Sequence, residues 1–133
     1  MATIERTLRA GAELCFRTFC DVGKLRHWVA GLRRAKVVRS RPDGLALEVL
    51  FEHGDTLSYS VLYDYDLAAR RVTWTPGVLR RDAVHGWAEF HDEGDGCRMS
   101  YAIDSAAGRV DRDEAERTVA AFARWVETTP RQL

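Results

Sequence analysis

The sequence predicts an α+β fold in which a seven-stranded antiparallel sheet faces one long C-terminal helix. Three observations carry that expectation. From Leu32 to Asp104 the hydrophobic period is mostly two, recognisable turns separate the alternating segments, and after Gly108 the period lengthens to that of a helix. Short turns make neighbouring strands antiparallel. A sheet of hairpins closed by a single helix forms an envelope suited to holding a small molecule.

Each element has a local reason. Thr3 to Leu8 alternates as a first strand, and Gly11 then precedes Ala12, Cys15, Phe16 and Phe19, whose spacing builds one apolar helical face. Asp21 is placed to cap a second short helix by accepting from the free amides of the next turn, with Val22, Leu25 and Trp28 inward. Six further strands are expected near residues 34–40, 44–53, 56–66, 71–75, 79–91 and 96–104. Pro42-Asp43-Gly44, Gly54-Asp55, Pro76-Gly77 and Gly94-Asp95-Gly96 supply the backbone angles that tight reversals need, the last within a long hairpin from Asp92 to Ile103. In the closing helix Asp111 is the cap, Glu114 takes the capping-box position, and Ala115, Val119, Phe122 and Val126 form the apolar stripe before Pro130. No repeat, low-complexity tract or linker interrupts the pattern, so one ligand-binding domain is expected over residues 1–133.

A chain of 133 residues is long enough for one core that buries roughly two thirds of its unfolded surface. With 20 basic and 20 acidic residues the net charge is zero, which argues against a nucleic-acid platform. The doublets Arg33-Arg34, Arg70-Arg71 and Arg80-Arg81 are scattered among acids and suit solvated faces. Met1 to Arg6 has neither the form of a secretory signal nor that of a membrane span, so a cytoplasmic protein without membrane insertion is expected. Cys15, Cys20 and Cys97 lack metal-ligand spacing and suit small buried hydrophobes, and His27, His53, His85 and His91 lie far apart. No metal is expected, and without a phosphate-binding glycine loop no cofactor either.

The order of elements, with Asp21-Val22-Gly23-Lys24-Leu25-Arg26-His27-Trp28, Ala69-Arg70-Arg71-Val72-Thr73-Trp74, Gly86-Trp87-Ala88-Glu89-Phe90 and Gly94-Asp95-Gly96-Cys97-Arg98-Met99-Ser100-Tyr101, resembles the START-related helix-grip (SRPBCC) superfamily over nearly the whole chain. That superfamily includes polyketide cyclase/dehydrase-like and lipid-transfer proteins. The resemblance implies a curved sheet wrapped around the C-terminal helix, with two short helices between strands 1 and 2. It further implies an internal cavity that holds a hydrophobic ligand or, in some members, a polyketide chain being cyclised.

Strand alternation nominates the inner face. Leu45, Leu47, Val49 and Phe51 share one face with His53 at its end, as do Leu57, Tyr59, Val61, Tyr63 and Tyr65 on the next strand. Val72 and Trp74 follow, then Val84, Gly86, Ala88 and Phe90, then Cys97, Met99, Tyr101 and Ile103; a bulge at Gly86 would reverse part of this set. The candidate ligand contacts are Trp28, Phe51, Tyr59, Tyr63, Tyr65, Trp74, Phe90, Met99 and Tyr101, each of which also suits plain core packing. Buried phenols need hydrogen-bond partners, which a wet or ligand-filled cavity supplies more readily than a dry core.

Arg80, Asp82 and His53 are the candidate polar groups for chemistry. An inward Arg can polarise a carbonyl, and an inward Asp in an apolar pocket can move protons. Equally, Arg80 and Asp82 suit a rim ion pair and His53 a turn-flanking surface position. The leading expectation is a protein that binds or carries an aromatic, polyketide-like or lipid-like molecule. The alternatives are a polyketide cyclase or aromatase, and an interaction or stress-response module using Trp87. The sequence leaves the oligomeric state open, a homodimer included.

Overall fold

The computed structural model describes residues 2–54, 57–77, 84–105 and 111–128. In chain order the elements are β1 (Ala2–Leu8), α1 (Ala12–Phe19), a 3-10 helix (Val22–His27), β2 (Leu32–Ser40), β3 (Ala46–His53), β4 (Leu57–Asp66), β5 (Arg71–Pro76), β6 (Val84–Glu93), β7 (Gly96–Ser105) and α2 (Arg112–Thr128). The sheet order is β1-β7-β6-β5-β4-β3-β2, with every pairing antiparallel. The sheet is open: β1 and β2 are its edges. The first strand therefore crosses to lie beside the last, and the remaining neighbours are simple hairpins.

The local chemistry follows the sequence closely. Asp21 caps the 3-10 helix by accepting from the Gly23 amide at 3.1 Å. Asp111 accepts from the Asp113 amide at 3.0 Å at the start of α2. Ala12, Cys15, Phe16 and Phe19 are the buried residues of α1, and Ala115, Val119, Phe122, Ala123 and Val126 those of α2. Positive φ falls at Gly44 and Gly94, as the turns require. Two bonds tie α2 alongside β1: Arg112 Nη1 donates to the Thr3 carbonyl at 3.4 Å near one end, and the Arg9 amide donates to Glu127 at 2.8 Å near the other.

The core divides along the length of α2. Phe16, Phe90, Met99, Cys15, Cys97 and Leu8 are all at most 1% exposed and form a dry end beside α1. Phe19 closes that end. Its ring meets Phe90 and Phe122 at 5.8 and 5.4 Å, and Trp28, Trp74 and Tyr101 at 6.1, 5.9 and 6.3 Å.

Two expectations change, and the inner-face set around Gly86 stands. Leu45 and Leu47 are half-buried whereas Ala46 is 4% exposed, because a register irregularity against β2 puts an extra residue at Leu47 and shifts the parity at the start of β3. Trp87 is not bare: it is half-buried beneath the Arg71 guanidinium, 4.3 Å from the ring centre. No bulge occurs at Gly86, where the pairings to β5 and β7 run unbroken. The space beside Gly86 is taken by the neighbouring strand, since a Cβ there would collide with the Ala102 carbonyl.

Candidate ligand cavity

Beyond Phe19 the interior opens into a cavity of about 480 Å³. Its sheet wall is Phe51 and His53 of β3, Tyr59, Val61 and Tyr63 of β4, Trp74 of β5, Val84 of β6, and Tyr101 and Ile103 of β7. The opposite wall is α2, through Ala115, Thr118 and Ala121. The 3-10 helix and the residues after it, Leu25 and Trp28 to Ala30, form the roof. Arg26, His27, Glu114 and Arg117, all exposed side chains, also border the space and mark its mouth.

Antiparallel register assembles the sheet wall. Phe51 is paired with Tyr59, Tyr63 with Trp74, and Trp74 with Gly86, so residues from successive strands stand in a row on one face. The resulting aromatic rings touch one another: Phe51 and Tyr59 at 5.6 Å, Trp74 and Tyr101 at 5.8 Å. Trp28 packs edge-on against Phe122 of α2 at 4.9 Å. Its indole Nε1 is buried without a hydrogen-bond partner among the described residues, an arrangement that costs about 1–3 kcal/mol when nothing accepts from it.

Among the described residues a polar pair stands on this wall. The Tyr59 hydroxyl lies 2.7 Å from His53 Nε2. Burial pushes the phenol up to about 12 and holds the imidazole below its ordinary value, with the Glu114 carboxylate acting in the opposite direction on His53. A neutral imidazole with its proton on Nδ1 accepts from the phenol, and the other tautomer, with its proton on Nε2, donates to the phenol oxygen. Burial also raises Tyr63 and Tyr101, neither of which hydrogen-bonds through its hydroxyl to the described residues. Among the described residues no group of three or more His, Cys, Asp or Glu side chains is placed to hold a metal.

Of the nine candidate ligand contacts, Trp28, Phe51, Tyr59, Tyr63, Trp74 and Tyr101 border the cavity. Phe90 and Met99 do not. They face inward as alternation requires, but pair with each other beyond Phe19, in the dry end. Tyr65 also lies off the wall; its hydroxyl donates to the Ala46 carbonyl at 2.7 Å and the Arg41 guanidinium lies 5.4 Å from its ring centre. Ala46 lies beyond the last β3–β4 pair, Glu48 with Leu62, which leaves that carbonyl free to accept. His53 is half-buried on the wall rather than a surface residue beside a turn. Arg80 and Asp82 fall outside the described residues. The helix side of the site, Phe19, Thr118 and Ala121 with the mouth residues Arg26, Glu114 and Arg117, is invisible to strand alternation and is reachable only through the helical spacing of α1, the 3-10 helix and α2.

No protein-family model matches the sequence, and no curated protein matches it. Solved structures do. A crystal structure of the di-domain ARO/CYC StfQ from the steffimycin biosynthetic pathway superposes with a TM-score of 0.74 at 15% identity over 96% of this chain. The match takes in only 44% of StfQ, so this chain spans less than half of it. A START superfamily protein from Mycobacterium smegmatis gives 0.72 at 12% identity, covering 95% of this chain and 93% of that one. A STAR-related lipid transfer protein fragment from Xanthomonas axonopodis gives 0.64 at 13%, covering 93% and 84%. At these identities the likeness is one of architecture, and together with the open seven-stranded sheet and its C-terminal helix it establishes that the chain has the START-like helix-grip fold.

Proposed function

We propose that the protein binds and carries a hydrophobic small molecule in the cavity between the sheet and α2. The observation that carries this reading is the cavity itself: about 480 Å³, walled by Trp28, Phe51, Tyr59, Tyr63, Trp74 and Tyr101. That volume lies within the range of small-molecule sites, and apolar walls with a few polar groups are their usual composition. The START superfamily and STAR-related lipid transfer proteins of the same fold support it as analogues.

A second reading, cyclase-type chemistry, is favoured by the Tyr59–His53 pair and by the ARO/CYC proteins among the structural neighbours. Closing a ring by aldol addition requires a base to take a proton from carbon beside a carbonyl and an acid to supply one to the attacked carbonyl oxygen. A neutral imidazole and a protonated phenol are the two groups of that reaction.

One experiment addresses both. Titration with N-phenylnaphthylamine, a neutral apolar fluorophore, is expected to show saturable one-to-one uptake, and solvent extraction followed by mass spectrometry identifies any endogenous occupant. Tyr59→Phe leaves apolar uptake within about threefold, since a wall hydroxyl contributes little to an apolar ligand. The same substitution abolishes turnover of a poly-β-ketone thioester if the pair is catalytic. Absence of any uptake sinks the carrier reading.

A further inference from the structure

We propose that the ligand is an amphipathic anion, its apolar body among the cavity aromatics and its acidic head at Arg26 and Arg117. This rests on the carrier reading and specifies the chemistry at the mouth of the same cavity.

The described surface cations are mostly neutralised where they stand. Arg33 and Arg34 both approach Glu52, at 3.6 and 3.7 Å; Arg39 pairs with Glu48 at 3.0 Å, Arg71 with Glu89 at 3.1 Å and Arg112 with Glu116 at 3.1 Å. Arg26 and Arg117 are different: neither has an ion-pair partner among the described residues, and both border the cavity. Arg6, Lys36 and Arg124 are the other described cations without a partner, and none of them borders it.

The two elements that carry these arginines are held together. His27, next to Arg26, stacks on Trp125 of α2 with ring centres 3.9 Å apart and planes inclined by 6°. The backbone around Arg26 is fixed as well, because the Trp28 and Val29 amides both donate to the Leu25 carbonyl, at 3.1 and 2.9 Å. Arg117 projects from a helix whose neighbouring residues Ala115 and Val119 are each 1% exposed. Arg26 and Arg117 therefore border the same cavity from two elements in contact, the 3-10 helix with the residues after it and α2.

Glu114 also borders the mouth and opposes an anion. Two guanidiniums against one carboxylate leave the balance positive. A carboxylate or a phosphate head satisfies the same donors, since both accept from guanidinium N–H groups.

The test compares dodecanoate with dodecanol, which share a chain and differ in the charge of the head, by displacement of bound N-phenylnaphthylamine at low ionic strength. Wild-type protein is expected to prefer the acid by about fivefold or more, the scale of one or two partly screened charge pairs. The preference falls as salt is added. It disappears in the double variant Arg26→Gln, Arg117→Gln, in which dodecanoate and dodecanol displace the probe equally well. Equal affinity for the two ligands in wild type, or a preference that survives in the double variant, overturns the proposal and leaves the carrier reading standing. Failure of both ligands to displace the probe also overturns it, and failure of the probe itself to bind removes the carrier reading too. Dodecyl phosphate in place of dodecanoate then separates a phosphate head from a carboxylate one.

Discussion

His53 shows how much a single position depends on what lies across the sheet. In the sequence it is a histidine beside a Gly-Asp turn; in the structure the facing Tyr59 and the cavity make it half-buried and hydrogen-bonded. Burial holds its folded pKa below the ordinary value of 6.5, so between that value and the folded one the unfolded chain binds more protons than the native protein. The sign follows: His53 costs the fold nothing above the unfolded pKa, and stability is lost as the pH falls from about 6.5 through the folded pKa. His53→Gln keeps a hydrogen-bonding group opposite Tyr59 and removes the titration. Urea midpoints measured from about pH 7 down to about pH 5 are expected to decline less steeply in this variant than in wild type. Parallel declines would show that His53 does not titrate with folding.

At the scale of elements, alternation and turn chemistry made the sheet legible, because period-two segments bounded by Pro-Asp-Gly and Gly-Asp-Gly admit few other pairings. They also placed Phe51, Tyr59, Tyr63, Trp74 and Tyr101 on the inner face, where all five border the cavity. What alternation does not contain is position along the strand relative to the helices. Phe90 and Met99 share the inner face with Trp74 and Tyr101, but α1 packs over them and Phe19 divides the two regions. The misplaced start of β3 has a similar origin, since a single extra residue inverts parity and leaves no mark in the hydrophobic pattern. Gly86 is the element-scale feature most open to test. Alternation puts it on the inner face, yet an added Cβ would run into the Ala102 carbonyl of β7, backbone that cannot move without breaking the β6–β7 ladder. Gly86→Ala is expected to lower unfolding free energy by about 2–3 kcal/mol in urea denaturation. Gly11→Ala, where an added Cβ meets nothing within 4 Å and the backbone angles are extended, is the control and should cost less than about 1 kcal/mol. Equal costs at the two sites would show that the close approach at Gly86 does not constrain the sheet.

At the scale of the whole molecule, the volume of the cavity limits what it can contain. A dry, unrelaxed void of about 480 Å³ would cost on the order of 10 kcal/mol at the rate seen for cavities cut into protein cores. The entire net stability of a domain is of that order. The native protein can therefore keep such a space only with water or a ligand in it, and the polar edge formed by His53, Tyr59, Thr118 and the mouth residues makes water admissible. Replacing that water with an apolar ligand adds stability by mass action: at a ligand concentration about a hundred times its Kd the gain is about 2.7 kcal/mol, which for a chain of this length raises Tm by about 10 °C. Ala121 offers a way to occupy the space from within. It is half-buried on the cavity side of α2, so the ring of Ala121→Trp enters open volume instead of packed core and avoids the strain of overpacking. Calorimetric melting should then give a variant whose Tm without ligand is at or above that of the wild type, and which no longer responds to the apolar ligand. A variant that melts much lower would mean that the walls cannot spare the volume, and one that still gains about 10 °C would place the ligand elsewhere on the protein.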